Sequence, residues 1–220
     1  MNASDKIGFR FGIIAFIATV AYVIVQLLQI LEILKFPIDE ILIYSSSLCI
    51  SIPFLLSMLA LHYRTTVSRK IWSHAAVLFS TIYVVFVAAN YIVQLATVIP
   101  AKLNGRIKEV AILEQTPHSM FWNFDALGYI FMGLATLIAI PALEKKGIQK
   151  WVRISFAANA AAIPLISIVY FYPDYSHRLL LLGFVWAITA PVAMLMLALS
   201  FRPAEKNRWP LQQKGKFTST

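Results

Sequence analysis

The sequence predicts an all-α integral membrane protein, a bundle of six transmembrane helices. Hydrophobic residues make up 60% of its 220 residues and charged residues only 13%, and its mean hydropathy is +0.74. Soluble domains usually carry about 25% charged residues. The apolar residues also form long unbroken blocks, which is typical of membrane helices, whereas the strands of a membrane β-barrel alternate in polarity.

Six of these blocks are long enough to cross about 30 Å of hydrocarbon at about 1.5 Å per residue. Asp125 is the only formal charge within them. We interpret residues 1–201 as one transmembrane domain and 202–220 as a basic cytoplasmic tail. The predicted spans, in chain order, are 11–31, 41–61, 75–99, 121–143, 154–172 and 179–201.

The positions of Lys and Arg predict the orientation of these spans. Most of the 19 basic residues fall in the N-terminal segment, in the second and fourth connections and in the tail. Because basic residues are enriched on the cytoplasmic side, both termini are predicted to be cytoplasmic. The short loops favour a plasma (inner) membrane. The net charge of +9 is divided among these loops, so we expect the lipid bilayer and no nucleic acid as a partner.

Only one connection, residues 100–120, is long. Asn104-Gly105 predicts a turn, residues 106–115 a short surface helix, and Thr116-Pro117 the N-cap and first turn of the fourth helix. This connection is either a strap on the surface or a lid over an outward-facing cavity, since long loops in compact chains often carry function.

Asp125 is the first candidate for a functional residue because ionisable groups within membrane helices are costly and usually face the bundle interior. Helical spacing predicts one face that carries His118, Trp122, Asp125 and Tyr129. On one interpretation, Asp125 forms the floor of an outward vestibule and binds a cation or a proton. On the other, it is hydrated near the membrane surface or paired with Arg178.

Two further groups of polar residues lie in the outer halves of their helices. Ser80, Tyr83, Asn90, Gln94 and Thr97 share one face of the third helix, and Gln26 and Gln29 lie in the first helix, with Tyr22 one turn deeper. Such residues either line a cavity or hydrogen-bond neighbouring helices. The predicted ligand-binding residues are therefore Asp125, His118, Asn90, Gln94, Gln26, Gln29 and Tyr129.

Other features of the spans have structural interpretations. The small residues around Asn159 predict that the fifth helix is central and tightly packed, with Asn159 in an interhelical hydrogen bond. Pro53 and Pro164 occupy the middle helices of two halves of opposite orientation. They would suit an inverted repeat with broken helices, although prolines are also common in ordinary membrane helices.

Motifs for catalysis and cofactor binding are missing from the sequence. It has no serine-nucleophile, zinc-helix or phosphate-loop motif, and its single cysteine, Cys49, cannot form an internal disulfide. The four histidines lie at helix ends, which argues against haem ligation. We expect no catalytic residue, cofactor or metal, and the sequence favours a non-enzymatic protein.

These observations predict a multi-pass membrane protein that binds or transports a small solute or ion through an outward-facing polar cavity. The alternative is a non-catalytic membrane scaffold or accessory subunit whose polar residues only lock helices together. Beyond lipid and ligand, a homo-oligomer or a partner subunit is compatible with the sequence.

Overall fold

The structure, a computed structural model, describes residues 2–202 apart from the side chain of His177. Within this range the regular secondary structure is helical throughout, and six helices are long and apolar enough to span a membrane, as predicted. The predicted tail lies outside the described residues, except for Arg202. The helices are α1 (Ala3–Ile30), α2 (Ile38–Arg64), α3 (Val67–Leu103), α4 (Met120–Ala142), α5 (Gly147–Phe171) and α6 (His177–Ser200).

The six helices form a closed ring. Each packs against its neighbours in the chain, and α6 packs against α1 to complete the circle. Helices are the natural solution in lipid because they bond their own backbone groups. The outer surface of the ring is apolar: the side chains of Ile17, Ile154 and Ile188 are 59%, 48% and 68% exposed. This surface is suited to contact with a lipid bilayer.

Small residues close one end of the ring, where α1 begins and α6 ends; we call this end the closed half. A Cβ atom on Gly12 would lie 2.7 Å from the Cβ of Ala198 and 2.9 Å from its Cα. A Cβ on Gly8 would lie 2.6 Å from the ring of Phe201. Since only hydrogen atoms fit between these backbones, α1 and α6 pack in close contact.

Arginine side chains bind helix ends in the closed half. The Nη1 of Arg64 donates to the carbonyl of Ser200, the last residue of α6, at 2.7 Å, and its Nε lies 3.2 Å from a carboxylate oxygen of Asp5. Arg153 donates to the carbonyl of Ile140 near the end of α4 at 2.7 Å. The last carbonyls of a helix have no partner within it, so these bonds satisfy them.

Three local predictions are wrong. Helix α4 begins at Met120 with Ser119 as its N-cap, whose hydroxyl accepts from the backbone N–H of Trp122 at 3.1 Å, and not at Thr116-Pro117. Helix α5 is an ordinary member of the ring and packs on α4 and α6 instead of occupying a central position. Thr97 is exposed, because the π-helical segment Gln94–Val98 of α3 turns it away from the predicted face.

Several other details agree with the sequence. The buried residues Ser80, Tyr83, Asn90 and Gln94 do share one face of α3. Asn159 donates to Thr136 of α4 at 3.3 Å and accepts from Thr189 of α6 at 3.4 Å, so it bonds across two helix interfaces as expected.

Both Pro53 and Pro164 lie inside helices that continue without a break, so neither marks the broken helix that an inverted repeat would place there.

The long connection contains less helix than predicted. Asn104-Gly105 forms the expected turn, with φ of 71° at Gly105, a value that glycine adopts without strain. One helical turn, Ile107–Val110, follows it. The rest of the connection packs over the end of the ring opposite the closed half.

Candidate functional site

A cavity of about 320 Å³ opens in this opposite end, which we call the cavity half. It lies among the last turns of α1 and α5 and the first turns of α2, α4 and α6, and α3 contributes Tyr91, so every helix of the ring contributes to its wall. Its volume is at the lower end of the range of about 300–1,000 Å³ found for small-molecule sites. Polar lining residues include Gln26, Gln29, Glu40, Gln115 and Asp125.

Asp125 holds the centre of a hydrogen-bond network in the cavity wall. Its side chain is 6% exposed and accepts hydrogen bonds from three donors on three different segments. These are the hydroxyl of Tyr91 in α3, the hydroxyl of Tyr170 in α5, and the Nε2 of Gln115 in the long connection, the last at 3.0 Å. Three donors converging on one carboxyl group match an ionised side chain, which can only accept hydrogen bonds.

Aromatic rings make up much of the remaining wall. Trp186 meets Tyr129 edge-to-face, with ring centroids 4.7 Å apart, and meets Tyr22 in the same way at 5.7 Å. The hydroxyls of Tyr22 and Tyr129 lie 2.7 Å apart. Trp122 packs on Tyr170 with centroids 4.5 Å apart. The cavity therefore has fixed aromatic faces, since each ring is held by another.

Tyr175, in the connection between α5 and α6, also borders the cavity. Partial burial raises the pKa of this phenol above its ordinary value, so it stays neutral at physiological pH.

The indole N–H of Trp186 has no hydrogen-bond acceptor among the described residues. The side chain is 5% exposed and borders the cavity. Buried donors are almost always paired in proteins, and an unpaired one costs about 1–3 kcal/mol. The nitrogen atom is itself buried, so the ring borders the cavity while this donor does not reach it.

Amide side chains of α3 anchor the long connection over the cavity. Asn90 donates to the Oε1 of Gln115 at 2.9 Å. Gln94 donates to the backbone carbonyl of Leu113 at 2.8 Å and accepts from the backbone N–H of Gln115 at 3.3 Å. Both buried amides thus hold the segment that places Gln115 against Asp125.

Lys102 adds a second anchor at the rim. Its Nζ lies 2.9 Å from carboxylate oxygens of both Glu40 in α2 and Glu114 in the connection. The same ammonium group lies 4.8 Å from the ring centroid of Phe36. These contacts tie the connection to α2 and place one positive charge between two carboxylates, those of Glu40 and Glu114.

The predicted site residues fall into three groups. Asp125, Tyr129, Gln26 and Gln29 all border the cavity; Gln29 also donates to Asp39 at 2.9 Å. Asn90 and Gln94 bond to the long connection, as described above. His118 is exposed, with φ of 65°, and precedes α4, so it does not share the helical face of Asp125.

The structure also bears on the alternative interpretation, in which Asp125 pairs with Arg178. Arg178 is exposed at the start of α6, and within the described part of the chain Asp125 bonds to tyrosine and glutamine side chains instead of to a basic residue.

Sequence reasoning missed Tyr91, Tyr170 and Gln115 as members of the site. Tyr91 and Tyr170 look like interfacial or packing aromatics, and Gln115 lies in a loop with no helical period. Trp186, near the middle of an apolar helix, fits either core packing or a pocket wall by sequence, and packing is the usual role. A search for donors able to reach a membrane carboxylate would have singled out the tyrosines, because such a group needs partners.

The chemistry available in the cavity is recognition by hydrogen bonds, aromatic faces and one carboxylate. Residues 2–202 contain no cluster of three or more His, Cys, Asp or Glu side chains suited to hold a metal ion. No protein-family model, curated protein or solved structure matches the chain. The geometry of the cavity is therefore the basis for assigning a function.

Proposed function

We propose that the protein binds or transports a small solute or ion in this cavity, which opens to the outside of a plasma membrane while both termini are cytoplasmic. The observation that carries the proposal is the shared cavity itself. All six helices contribute to it, and it brings together Gln26, Asp125, Tyr129 and Trp186. A bundle that only needed to hold its helices together would gain stability by filling this space, because interiors are normally packed to high density.

Cysteine labelling tests whether the cavity is open to water. In a Cys49→Ser background, which removes the single cysteine, Gln26→Cys would place a thiol on the cavity wall. Ile24→Cys is the matched control, since Ile24 lies at similar depth in α1 but is 51% exposed on the apolar surface. With intact cells and a membrane-impermeant maleimide, we expect labelling of Gln26→Cys and none of Ile24→Cys.

The labelling outcomes separate the competing proposals. Labelling of Gln26→Cys only after permeabilisation would mean that the cavity opens to the cytoplasm. No labelling under either condition would contradict the solute-binding proposal. Reporter fusions after Lys216 and within residues 103–114 provide an independent test of orientation, and we expect them to report the cytoplasm and the exterior, respectively. The same compartment for both would overturn the six-span topology.

A scaffold is the second candidate function. It is favoured by the bonds of Asn90, Gln94 and Asn159, all of which hold parts of this chain to one another. It predicts that filling the cavity is harmless. Gly183 borders the cavity and a Cβ there would meet nothing within 4 Å. Gly183→Phe should therefore leave a scaffold stable and active in assembly, whereas it should block a solute-binding protein.

A further inference from the structure

The formal charges that the described side chains place on the cavity wall are negative. Among these described side chains, Asp125 and Glu40 carry the charge, and no Lys or Arg belongs to the lining. Glu40 is already paired with Lys102 at 2.9 Å. Asp125 remains as the carboxylate without a cationic partner in the described structure. An anionic ligand would meet repulsion here, whereas a cation would supply the missing countercharge.

The wall is better suited to an organic cation than to a metal ion. Ca²⁺ takes about six to eight oxygen ligands at about 2.3–2.6 Å, and Mg²⁺ needs near-octahedral geometry. The oxygens nearest Asp125 are phenol hydroxyls that donate to it, so their hydrogens point toward the carboxylate. Aromatic faces, in contrast, attract ammonium groups through the negative charge of their π-systems. Trp186, Trp122, Tyr22, Tyr129 and Tyr170 provide such faces.

Trp186 contributes an aromatic wall and no hydrogen-bond donor, because its unpaired indole nitrogen is itself buried. The charge of the Asp125 carboxylate is therefore the feature of the wall that an organic cation would pair. The volume of about 320 Å³ limits such a ligand to a small molecule.

We propose that the cavity binds a small organic monocation, a protonated amine or a quaternary ammonium compound, held by Asp125 and the surrounding aromatic rings. This inference rests on the proposed solute-binding function and specifies its ligand class. Asp125 supplies the countercharge, and the rings replace the hydration shell of the cation. No covalent step is involved.

A pair of probes that differ only in charge tests this inference. Choline is a quaternary ammonium alcohol, and 3,3-dimethyl-1-butanol is its neutral carbon isostere of nearly equal shape. Binding to the purified full chain in lipid nanodiscs would be measured by titration calorimetry in sodium phosphate, because amine buffers would compete. We expect choline to bind about tenfold or more tightly than the isostere, since only the cation gains the carboxylate and cation–π attraction.

Two variants test whether the difference in affinity between the two probes arises in the cavity. Asp125→Asn should weaken choline binding about tenfold or more while leaving the isostere unchanged, because it removes charge and keeps size. Glu109→Gln is the matched control, since Glu109 is an exposed carboxylate of the long connection that is not part of the cavity lining; it should bind choline like the unaltered chain. If Asp125→Asn fails to fold, the two probes on the unaltered chain still decide the question.

Each outcome bears on one proposal. Equal binding of the two probes, or tighter binding of the isostere, would overturn the cation inference and leave solute binding in place. Binding of neither probe at millimolar concentration, with Gln26→Cys still open to label, would overturn the cation inference alone. A cavity closed to label would overturn the proposed function itself, whatever the probes do.

Discussion

The closed half and the cavity half of the ring differ in the size and polarity of the side chains that face its interior. In the closed half, Gly12 lies against the backbone of Ala198 and Gly8 lies against the ring of Phe201, so α1 and α6 are in close contact. In the cavity half, α1 and α6 instead carry Tyr22, Gln26 and Trp186, whose bulk and polar atoms hold the helices around a space. The same two helices therefore seal one end of the ring and open the other.

This contrast indicates that the two halves have different roles. In the closed half, close packing of small residues and arginine bonds to helix ends stabilise the arrangement of the helices. The other end can then keep an unfilled cavity and an unpaired donor, both of which lower stability. The following variants test this difference in roles, beginning with the largest expected effect.

Gly12→Leu should prevent the packing of α1 against α6 in the closed half. The Cβ of any residue here would clash with the Cα of Ala198 at 2.9 Å, which cannot move without shifting α6. Overpacking a core usually costs about 1–3 kcal/mol, and a backbone clash should exceed that range. We expect little folded protein in detergent by size-exclusion chromatography. Gly183→Ala is the control, because its new Cβ meets nothing within 4 Å and should change neither yield nor melting temperature.

Arg64→Ala should weaken the closed half without altering the cavity. It removes the bond to the carbonyl of Ser200 and the ion pair with Asp5, which should lower the free energy of unfolding by about 2 kcal/mol. Thermal melting would show the loss. Arg10, an exposed basic residue of the same half, offers a control variant, Arg10→Ala, with no expected change. A loss of ligand binding in folded Arg64→Ala would contradict the independence of the two halves.

Gln115→Ala should loosen the cavity half. It removes one of the three donors to Asp125 and leaves the amide of Asn90 unpaired, at a cost of about 1 kcal/mol. Hydrogen exchange should increase in residues 107–116 and stay unchanged in α1 near Gly12. Ile112→Ala, at a side chain that is 78% exposed in the same connection, should leave exchange unchanged. Equal exchange in both variants would mean that Gln115 does not anchor the connection.

Gln26→Ala should have the smallest effect on stability, within about 0.5 kcal/mol, because a partly exposed side chain away from the packed core contributes little. Its effect should appear only in ligand affinity. Thermal melting with and without bound choline would separate the two quantities, since a ligand stabilises the folded state by mass action. A large drop in melting temperature without ligand would place Gln26 among the structural amides.

The sequence by itself determined the helical class, the number of long apolar helices and several of their contacts. Length and apolarity suffice for this, because lipid leaves a backbone no partners except its own. Periodicity also predicted the buried face of α3 as far as Gln94, since a regular helix repeats every 3.6 residues, about 100° per residue. The prediction failed at Thr97 because one π-helical segment shifts that repeat. The sequence contains no pattern that predicts this segment. The small residues around Asn159 predicted its interhelical bonds.

Only the tertiary structure decided which polar residues meet. Asp125 is bonded by Tyr91, Gln115 and Tyr170, which lie 34, 10 and 45 positions away in the chain. Asn90 and Gln94, which the sequence grouped with Asp125 as candidate ligand-binding residues, instead hold the connection that carries Gln115. Spacing describes one helix at a time, whereas the cavity depends on how six helices are rotated and closed into a ring. That rotation is set by the packing of residues such as Gly12 against Ala198, at the opposite end of the molecule.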